Sequence, residues 1–224
     1  VSAPVDNDFP RLRRAMVEYQ IKARGVSAQR VLDAMGRVPR HLFVPEHQRF
    51  AAYDDTPLSI GHRQTISQPF IVARMTELLA VGPDSTVLEI GTGSGYQAAV
   101  LAEMVREVWS IERHPELAEG ALGRLRALGY TNVHVVVGDG TLGYEEAAPY
   151  EGIIVTAAAP HVPAALREQL AEGGRLIIPV GGTSMQELRV YHKRHSSFEE
   201  YRVLDCRFVP LVGYDGYQEN DSDD

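Results

Sequence analysis

Cysteine is nearly absent from this sequence: Cys206 stands alone among 224 residues. One thiol excludes an internal disulfide framework and any cysteine-based metal cluster. No apolar run approaches the ~20 residues that a bilayer-crossing helix needs. The opening stretch, VSAPVDNDFPRLRR, lacks the apolar core of a signal peptide, and a cytoplasmic protein is the expectation. Positive charge is scarce too, with 22 Lys and Arg against 30 Asp and Glu and a formal net charge of -8. A broad nucleic-acid surface needs clustered Lys and Arg. Neither nucleic acid nor a membrane is therefore an expected partner, and the working form is expected to be a monomer. His114, His161 and His192 have no metal-ligand spacing and read as surface or packing residues, so no metal is expected.

What is present is a punctuated alternation. From Phe9 to Arg24, apolar positions recur at helical spacing (Leu12, Met16, Tyr19) up to Gly25. Ser27 is placed to cap a second helix with Val31, Leu32 and Met35 on one face and Gly36 as its stop. Pro39, Pro45 and Pro57 then punctuate VPRHLFVPEHQRFAAYDDTPLSIGHRQ, whose aromatics Phe43, Phe50 and Tyr53 keep no period. A loop packed across the sheet edge and a binding loop or lid are both open readings. A further helix starts at Pro69, with Ser67 or Gln68 at its N-cap and Ile71, Met75, Leu78 and Leu79 on its stripe.

The run Val87-Leu88-Glu89-Ile90 reads as a buried strand. It breaks at Gly91, Gly93 and Gly95 and resumes as a helix through Tyr96, Ala99, Val100 and Ala102. Strands follow at about residues 107–112, 133–137, 152–156 and 175–180, interleaved with helices. Such alternation means a mostly parallel α/β sheet with helices on both faces, a doubly wound Rossmann-like fold. Segments 187–193 and 199–208 flank the polar turn Arg194-His195-Ser196-Ser197 and read as a C-terminal antiparallel strand pair.

A strand that enters a helix through glycines is a nucleoside- or phosphate-cradling unit. A nicotinamide site wants G-x-G-x-x-G, whereas this turn reads G-T-G-S-G and places Tyr96 at the sixth position. Glu89, two residues before the first glycine, suits a cationic amino or sulfonium group and disfavours a pyrophosphate. Glu112 ends the second strand, where an acid accepts from ribose hydroxyls. Asp139, between Gly138 and Gly140, is placed to accept from an adenine amine. The set fits S-adenosylmethionine better than a nicotinamide dinucleotide.

The strand-turn-helix TVLEIGTGSGY resembles motif I of the class I methyltransferases. YQIKARGVS, VLDAMGRVPRHLFVP, YDDTPLSIGHRQTISQPFIVARM, VVVGDGTLGY, IIVTAAAPHVPAAL, LIIPVG and RFVPLVG together resemble the protein-L-isoaspartate (D-aspartate) O-methyltransferase family, from about Met16 to Gly213. The resemblance implies methyl transfer from S-adenosylmethionine to the free carboxylate of an isoaspartyl or D-aspartyl residue in a damaged protein. It also implies final antiparallel strands arranged differently from those of the common class I enzymes. Carried over, the catalytic serine falls on Ser67. Cofactor positions, with Glu89, are Ile66, Ser67, Gly91, Thr92, Gly93, Glu112, Arg113, Asp139, Gly140 and Thr156. Substrate positions are Thr65, Ser67, Thr156, Ala157, Val209, Pro210 and Leu211. The family commonly has a glycine immediately before QTIS, where this chain has Arg63.

One domain is expected across 1–224. Residues 1–82 form helices and a substrate-side segment, 83–182 the cofactor-binding core, 183–217 the antiparallel strands and 218–224 a disordered acidic tail. Gln186 is read as a hydrogen-bonding group near the site or a surface residue, and Tyr214 and Tyr217 as packing residues. Rival functions find less support. Thr156-Ala157-Ala158-Ala159-Pro160 replaces the Asn/Asp-Pro-Pro-aromatic turn of amino-group nucleic-acid methyltransferases, and Cys206 lies far from any cytosine C5 motif. A family member that methylates an ordinary Asp in one dedicated peptide is the remaining alternative, along with a non-catalytic binding protein.

Overall fold

The computed structural model describes residues 8–218, so the expected disordered tail falls, from residue 219 on, outside the described residues. Helix α1 (Phe9–Ala15) continues through wider turns at Met16–Ile21 and a tight turn at Lys22–Arg24. It stops at Gly25, whose φ of +93° is open to glycine at little cost. Helix α2 (Gln29–Arg37) follows, and its start corrects the expected cap. Its N-cap is Ala28 with no side-chain bond. The Ser27 and Ala28 amides instead donate to Glu77 Oε1 at 2.7 and 2.9 Å. Gly36 lies within α2 and does not end it.

The proline-punctuated segment is not irregular throughout. It forms tight helical turns at Arg40–Leu42 and Glu46–Ala51, then an antiparallel hairpin of β1 (Leu58–Gly61) and β2 (Gln64–Ile66). His62 and Arg63 make its two-residue loop, both at positive φ (51° and 57°). Such loops need left-handed residues because only that twist matches the strands. Arg63 thus occupies a position that favours glycine, which is the physical content of the departure seen in the sequence. Helix α3 (Pro69–Leu79) then packs its buried stripe, Met75, Leu78 and Leu79 among it, beneath the sheet.

The sheet holds β3 (Thr86–Ile90), β4 (Glu107–Glu112), β5 (Val133–Val137), β6 (Tyr150–Val155), β7 (Leu170–Gly181), β8 (Gln186–Arg194) and β9 (Ser197–Cys206) in the order β5-β4-β3-β6-β7-β8-β9. Strands β3 to β7 pair in parallel, while β7-β8 and β8-β9 pair antiparallel. Helices α4 (Tyr96–Ala102), α5 (Pro115–Ala127) and α6 (Ala164–Glu168) lie between the strands in sequence. The last three strands form a simple meander. His195 and Ser196, at φ 50° and 60°, close its hairpin.

Alternation along β3 splits the core between two faces. Val87 joins a cluster with the N-terminal helices, Tyr96 and Leu101. Leu88 and Ile90 join a second cluster with Ile111, Ile153 and Leu176. Because side chains alternate across a strand, Glu89 falls on the Val87 face, under the N-terminal segment. That segment therefore shares the sheet's core. Among the described residues, no helix is long and apolar enough to cross a membrane.

Candidate active site

The strand order reverses at β3, which has β4 on one side and β6 on the other. Such a reversal leaves a crevice at the strands' C-terminal ends, where the crossovers diverge. Gly91, with φ of +93°, opens the turn there. A Cβ on Gly91 would run into the Thr156 hydroxyl, which donates to the Ile90 and Gly91 carbonyls at 3.0 and 2.7 Å. The two strand ends are thereby clipped together.

The turn's amides are largely used inside the fold. Gly91 and Thr92 donate to the Ile111 carbonyl at 2.9 and 3.3 Å, and Gly93 donates to Glu112 Oε2 at 2.8 Å. A pyrophosphate would meet few free donors here. Glu112 instead presents acceptors: its Oε1 takes the His114 amide at 3.0 Å, and each oxygen retains capacity for another bond. The cleft is narrow and partly open to solvent, with about 60 Å³ of cavity volume. Gly91, Gly93, Glu112, Arg113, Gly140, Thr156 and Ala157 line it, with Thr65 and the Val209-Pro210-Leu211 strap.

The strap is held by the segment that follows β6. Ala158 donates to the Val209 carbonyl at 2.8 Å, and Leu211 donates back to Ala158 at 2.7 Å. Residue by residue, this sets the strap beside the end of β6.

Ser67 stands where two further cavities meet. One runs under the glycine turn past Ile66, Thr92 and Thr156. The other is a groove toward Phe70, Arg207 and Phe208 that also reaches Thr156. Neither Ser67 nor Gln68 caps α3 by its side chain. The Phe70 amide donates to Asp55 Oδ1 at 2.9 Å instead, so the serine hydroxyl does not serve as the cap. The Ser67 carbonyl accepts from Arg40 Nη2 at 2.7 Å.

Two expected contact residues lie off the cleft. Glu89 is fully buried beneath the turn, accepting from the Ser110 hydroxyl, which also bonds Thr92 Oγ1 at 2.6 Å. Burial pushes its carboxyl up to about 8, against the Ser110 hydrogen bond and helped by the nearby Glu112 charge. Strand alternation is the reason it misses the cleft. Asp139 holds the loop after β5: Oδ1 takes the Thr141 amide and hydroxyl at 2.9 and 2.7 Å, and Oδ2 takes the Tyr214 amide at 2.7 Å.

Gln186 is neither beside the cleft nor at the surface. It is buried and joins the start of β8 to Phe208 N at 2.9 Å. Tyr217 is buried and donates to the Gly181 carbonyl, whereas Tyr214 is exposed. His161 pairs with Asp215 at 2.7 Å on the surface. His114, read as a surface or packing residue, and Gln64 both line the cleft. Gln64 sits within the quoted QTISQP stretch. Arg40, in VPRHLFVP, is fully buried, and nothing local in the sequence marks a buried arginine.

The profile of the Protein-L-isoaspartate(D-aspartate) O-methyltransferase family matches residues 11–216. This chain belongs to that family. A protein-L-isoaspartate O-methyltransferase 2 of Marinobacter nauticus is 56% identical over 212 residues, 94% of this chain and 97% of its own. A protein-L-isoaspartate O-methyltransferase of Methanoregula boonei is 54% identical over 212 residues, covering 94% and 98%. A solved protein-L-isoaspartate O-methyltransferase superposes with a TM-score of 0.81 at 31% identity, over 91% of this chain and 67% of that one. A Plasmodium falciparum structure of the same description, in complex with S-adenosyl-L-homocysteine, gives 0.77 at 28% identity over 89% and 98%. The isoaspartate methyltransferase family match spans both the glycine turn and the Ser67 segment.

Proposed function

We propose that this protein transfers the methyl group of S-adenosylmethionine to the free carboxylate of L-isoaspartyl residues in damaged proteins and peptides. One observation carries the reading. Thr156 lines the glycine-turn cleft, the cavity beneath the turn and the Ser67 groove alike, so a donor in one and an acceptor in another would meet beside it. Membership of the protein-L-isoaspartate O-methyltransferase family supports it.

The residues fit the donor. Glu112 would take the ribose hydroxyls with the acceptor capacity its oxygens retain. Gly91, Thr92 and Gly93 would lie along its chain, with Ile66, Arg113, Gly140 and Thr156 around it. Asp139 would reach an adenine amine only through the capacity left after its three protein bonds. Glu89 would act from beneath the turn, without contact. No metal is needed.

When bound, the donor would supply a methyl group on a sulfonium: the acceptor oxygen would form the new O–C bond in line as the C–S bond breaks, and the electron pair would leave with neutral S-adenosylhomocysteine. A carboxylate of this kind has a reference pKa of about 3.5–4 and is already anionic at neutral pH, so no general base is required. The protein's part is alignment, which supplies several kcal/mol, with ~7–11 as the upper range, and exclusion of water. The Ser67 hydroxyl would orient the carboxylate, with Thr65, Ala157 and the Val209-Pro210-Leu211 strap fixing the peptide. The lone buried Cys206 suits a reducing cytoplasm.

The test is transfer of label from methyl-labelled S-adenosylmethionine to two peptides differing only in Asp versus isoAsp. Base-labile label on the isoAsp peptide alone supports the reading. Label on the Asp peptide instead would favour a dedicated aspartyl substrate, and label on neither would exclude carboxyl methylation. A D-Asp peptide as a third arm reads whether that isomer is accepted.

A further inference from the structure

Arg40 is fully buried, and its guanidinium has no ion-pair partner among the described residues. Its Nε donates to the Ala52 carbonyl at 2.8 Å, and its Nη2 to the Ser67 carbonyl at 2.7 Å. Its third nitrogen, Nη1, has no hydrogen-bond partner among the described residues. The Tyr96 ring lies 4.8 Å from the guanidinium carbon. Burial opposes the charge, while Tyr96, Asp55 and Tyr53 favour it, and an arginine does not lose its proton in proteins.

Asp55 is the carboxylate whose charge favours it, but Asp55 is already committed. Its Oδ2 pairs with Arg24 at 2.5 Å and its Oδ1 holds the Phe70 amide. Arg24 is half exposed, whereas the Arg40 charge is fully buried and has no carboxylate of its own among the described residues. Buried charges are ordinarily paired, because leaving one unpaired is strongly unfavourable. This one sits behind the residue at which the acceptor carboxylate would arrive.

We propose that Arg40 is a positioning residue that holds Ser67 and keeps an unmatched positive charge behind it, for which the acceptor's free carboxylate supplies the counter-charge. The inference rests on the proposed reaction and adds to it a determinant of specificity. Arg40 fixes the Ser67 backbone by hydrogen bonding and selects an ionised acceptor over a neutral one by charge. A planar guanidinium suits both tasks, since its fork holds two carbonyls at once.

The test measures affinity for two peptides with S-adenosylhomocysteine saturating. The probes are an isoAsp peptide and the same peptide with a neutral primary amide in place of the free carboxylate. The preference for carboxylate over amide is the readout, because loosened packing alone would weaken both peptides alike. Arg40→Met is expected to lower that preference by about tenfold or more. Arg40→Lys is expected to keep most of it while slowing turnover, because the charge remains but the fork is lost. Asp55→Asn, which keeps the helix-cap acceptor and removes the negative charge, is expected to raise the preference severalfold.

An unchanged preference in folded Arg40→Met overturns the proposal. Where that variant does not fold, an unchanged preference in Asp55→Asn overturns it. Wild-type protein that does not methylate the isoAsp peptide would defeat the proposed function itself. Wild-type methylation with an unmoved preference would defeat only the role of Arg40.

Discussion

The parallel core of the sheet and the segment that precedes it are put together differently. In the core each element is specified by its own residues. Val87, Leu88 and Ile90 make a strand around Glu89 because they are apolar between two breaks, and Gly91 turns because no side chain fits beside Thr156. In the preceding segment the local signals are present but other residues do their work. Helix α2 follows Ser27 yet is capped by Glu77, 49 and 50 residues away from the amides it holds. Helix α3 follows Ser67 and Gln68 yet is capped by Asp55. A serine released from capping is free for chemistry, and the segment that would bind the acceptor is the one assembled by distant contacts.

This contrast has consequences that mutation can break. The largest effect should be at Gly91. Gly91→Ala places a Cβ against Thr156 at a left-handed φ and is expected to weaken S-adenosylhomocysteine binding by about a hundredfold, equivalent to ~2.7 kcal/mol, measured by titration calorimetry. Near wild-type affinity would mean that the turn is not the donor's seat.

Next is the exchange of caps. Glu77→Ala removes the acceptor of two amides and an Arg74 pair at 2.6 Å, and is expected to cost about 1–3 kcal/mol in denaturant unfolding. Ser27→Ala should stay within about 0.5 kcal/mol. Burial opposes the Glu77 charge, but the Ser27, Ala28 and Arg74 hydrogen bonds outweigh it and hold the carboxyl below its ordinary value. Its contribution is therefore present above the unfolded pKa and lost as pH falls through the lowered folded one. Equal losses in the two variants would contradict long-range capping.

Glu89 gives the opposite pH dependence. Its folded value, about 8, lies above the ordinary 4.5. Its contribution is thus full below about pH 4.5 and is lost as pH rises to about 8. Glu89→Gln should melt higher than wild type at pH 8, by about 2–4 °C per kcal/mol recovered, with little difference at pH 4. A difference between variant and wild type that is the same at pH 4 and pH 8 would place an ionised carboxylate under the turn.

How legible each part was follows from the same physics. Strands β4 and β5 fall on the expected residues 107–112 and 133–137, because runs rich in β-branched and aromatic residues are local signals. The glycine turn, Glu112, Thr156 and the 209–211 strap come together as expected. Glu89 and Asp139 do not line the cleft, because an acid's identity does not reveal the face of a strand or the partners its loop will find. The β1-β2 hairpin was hidden because its two loop residues at positive φ, His62 and Arg63, are not the glycine or asparagine that marks such a loop, although Gly61 before them also has a positive φ. Arg40 was hidden because its partners are carbonyls, and every residue has one.

The smallest effects should be gains. Arg63→Gly relieves a left-handed residue and is expected to stabilise by up to ~1 kcal/mol. Gly36→Ala, inside α2 with nothing within 4 Å of the added carbon, should gain about 0.5–1 kcal/mol. Thermal unfolding reads both, and a loss at either position would mean that the local geometry differs from that described.

The central claim is a division of labour: the glycine turn holds the methyl donor and the Ser67 segment holds the acceptor. Ser67→Ala tests it most directly, with S-adenosylhomocysteine affinity and isoAsp-peptide turnover measured on the same preparation. The expected result is turnover lowered about a hundredfold, with affinity within about threefold of wild type. Unchanged turnover, or a loss of affinity as large as the loss of turnover, would contradict the division.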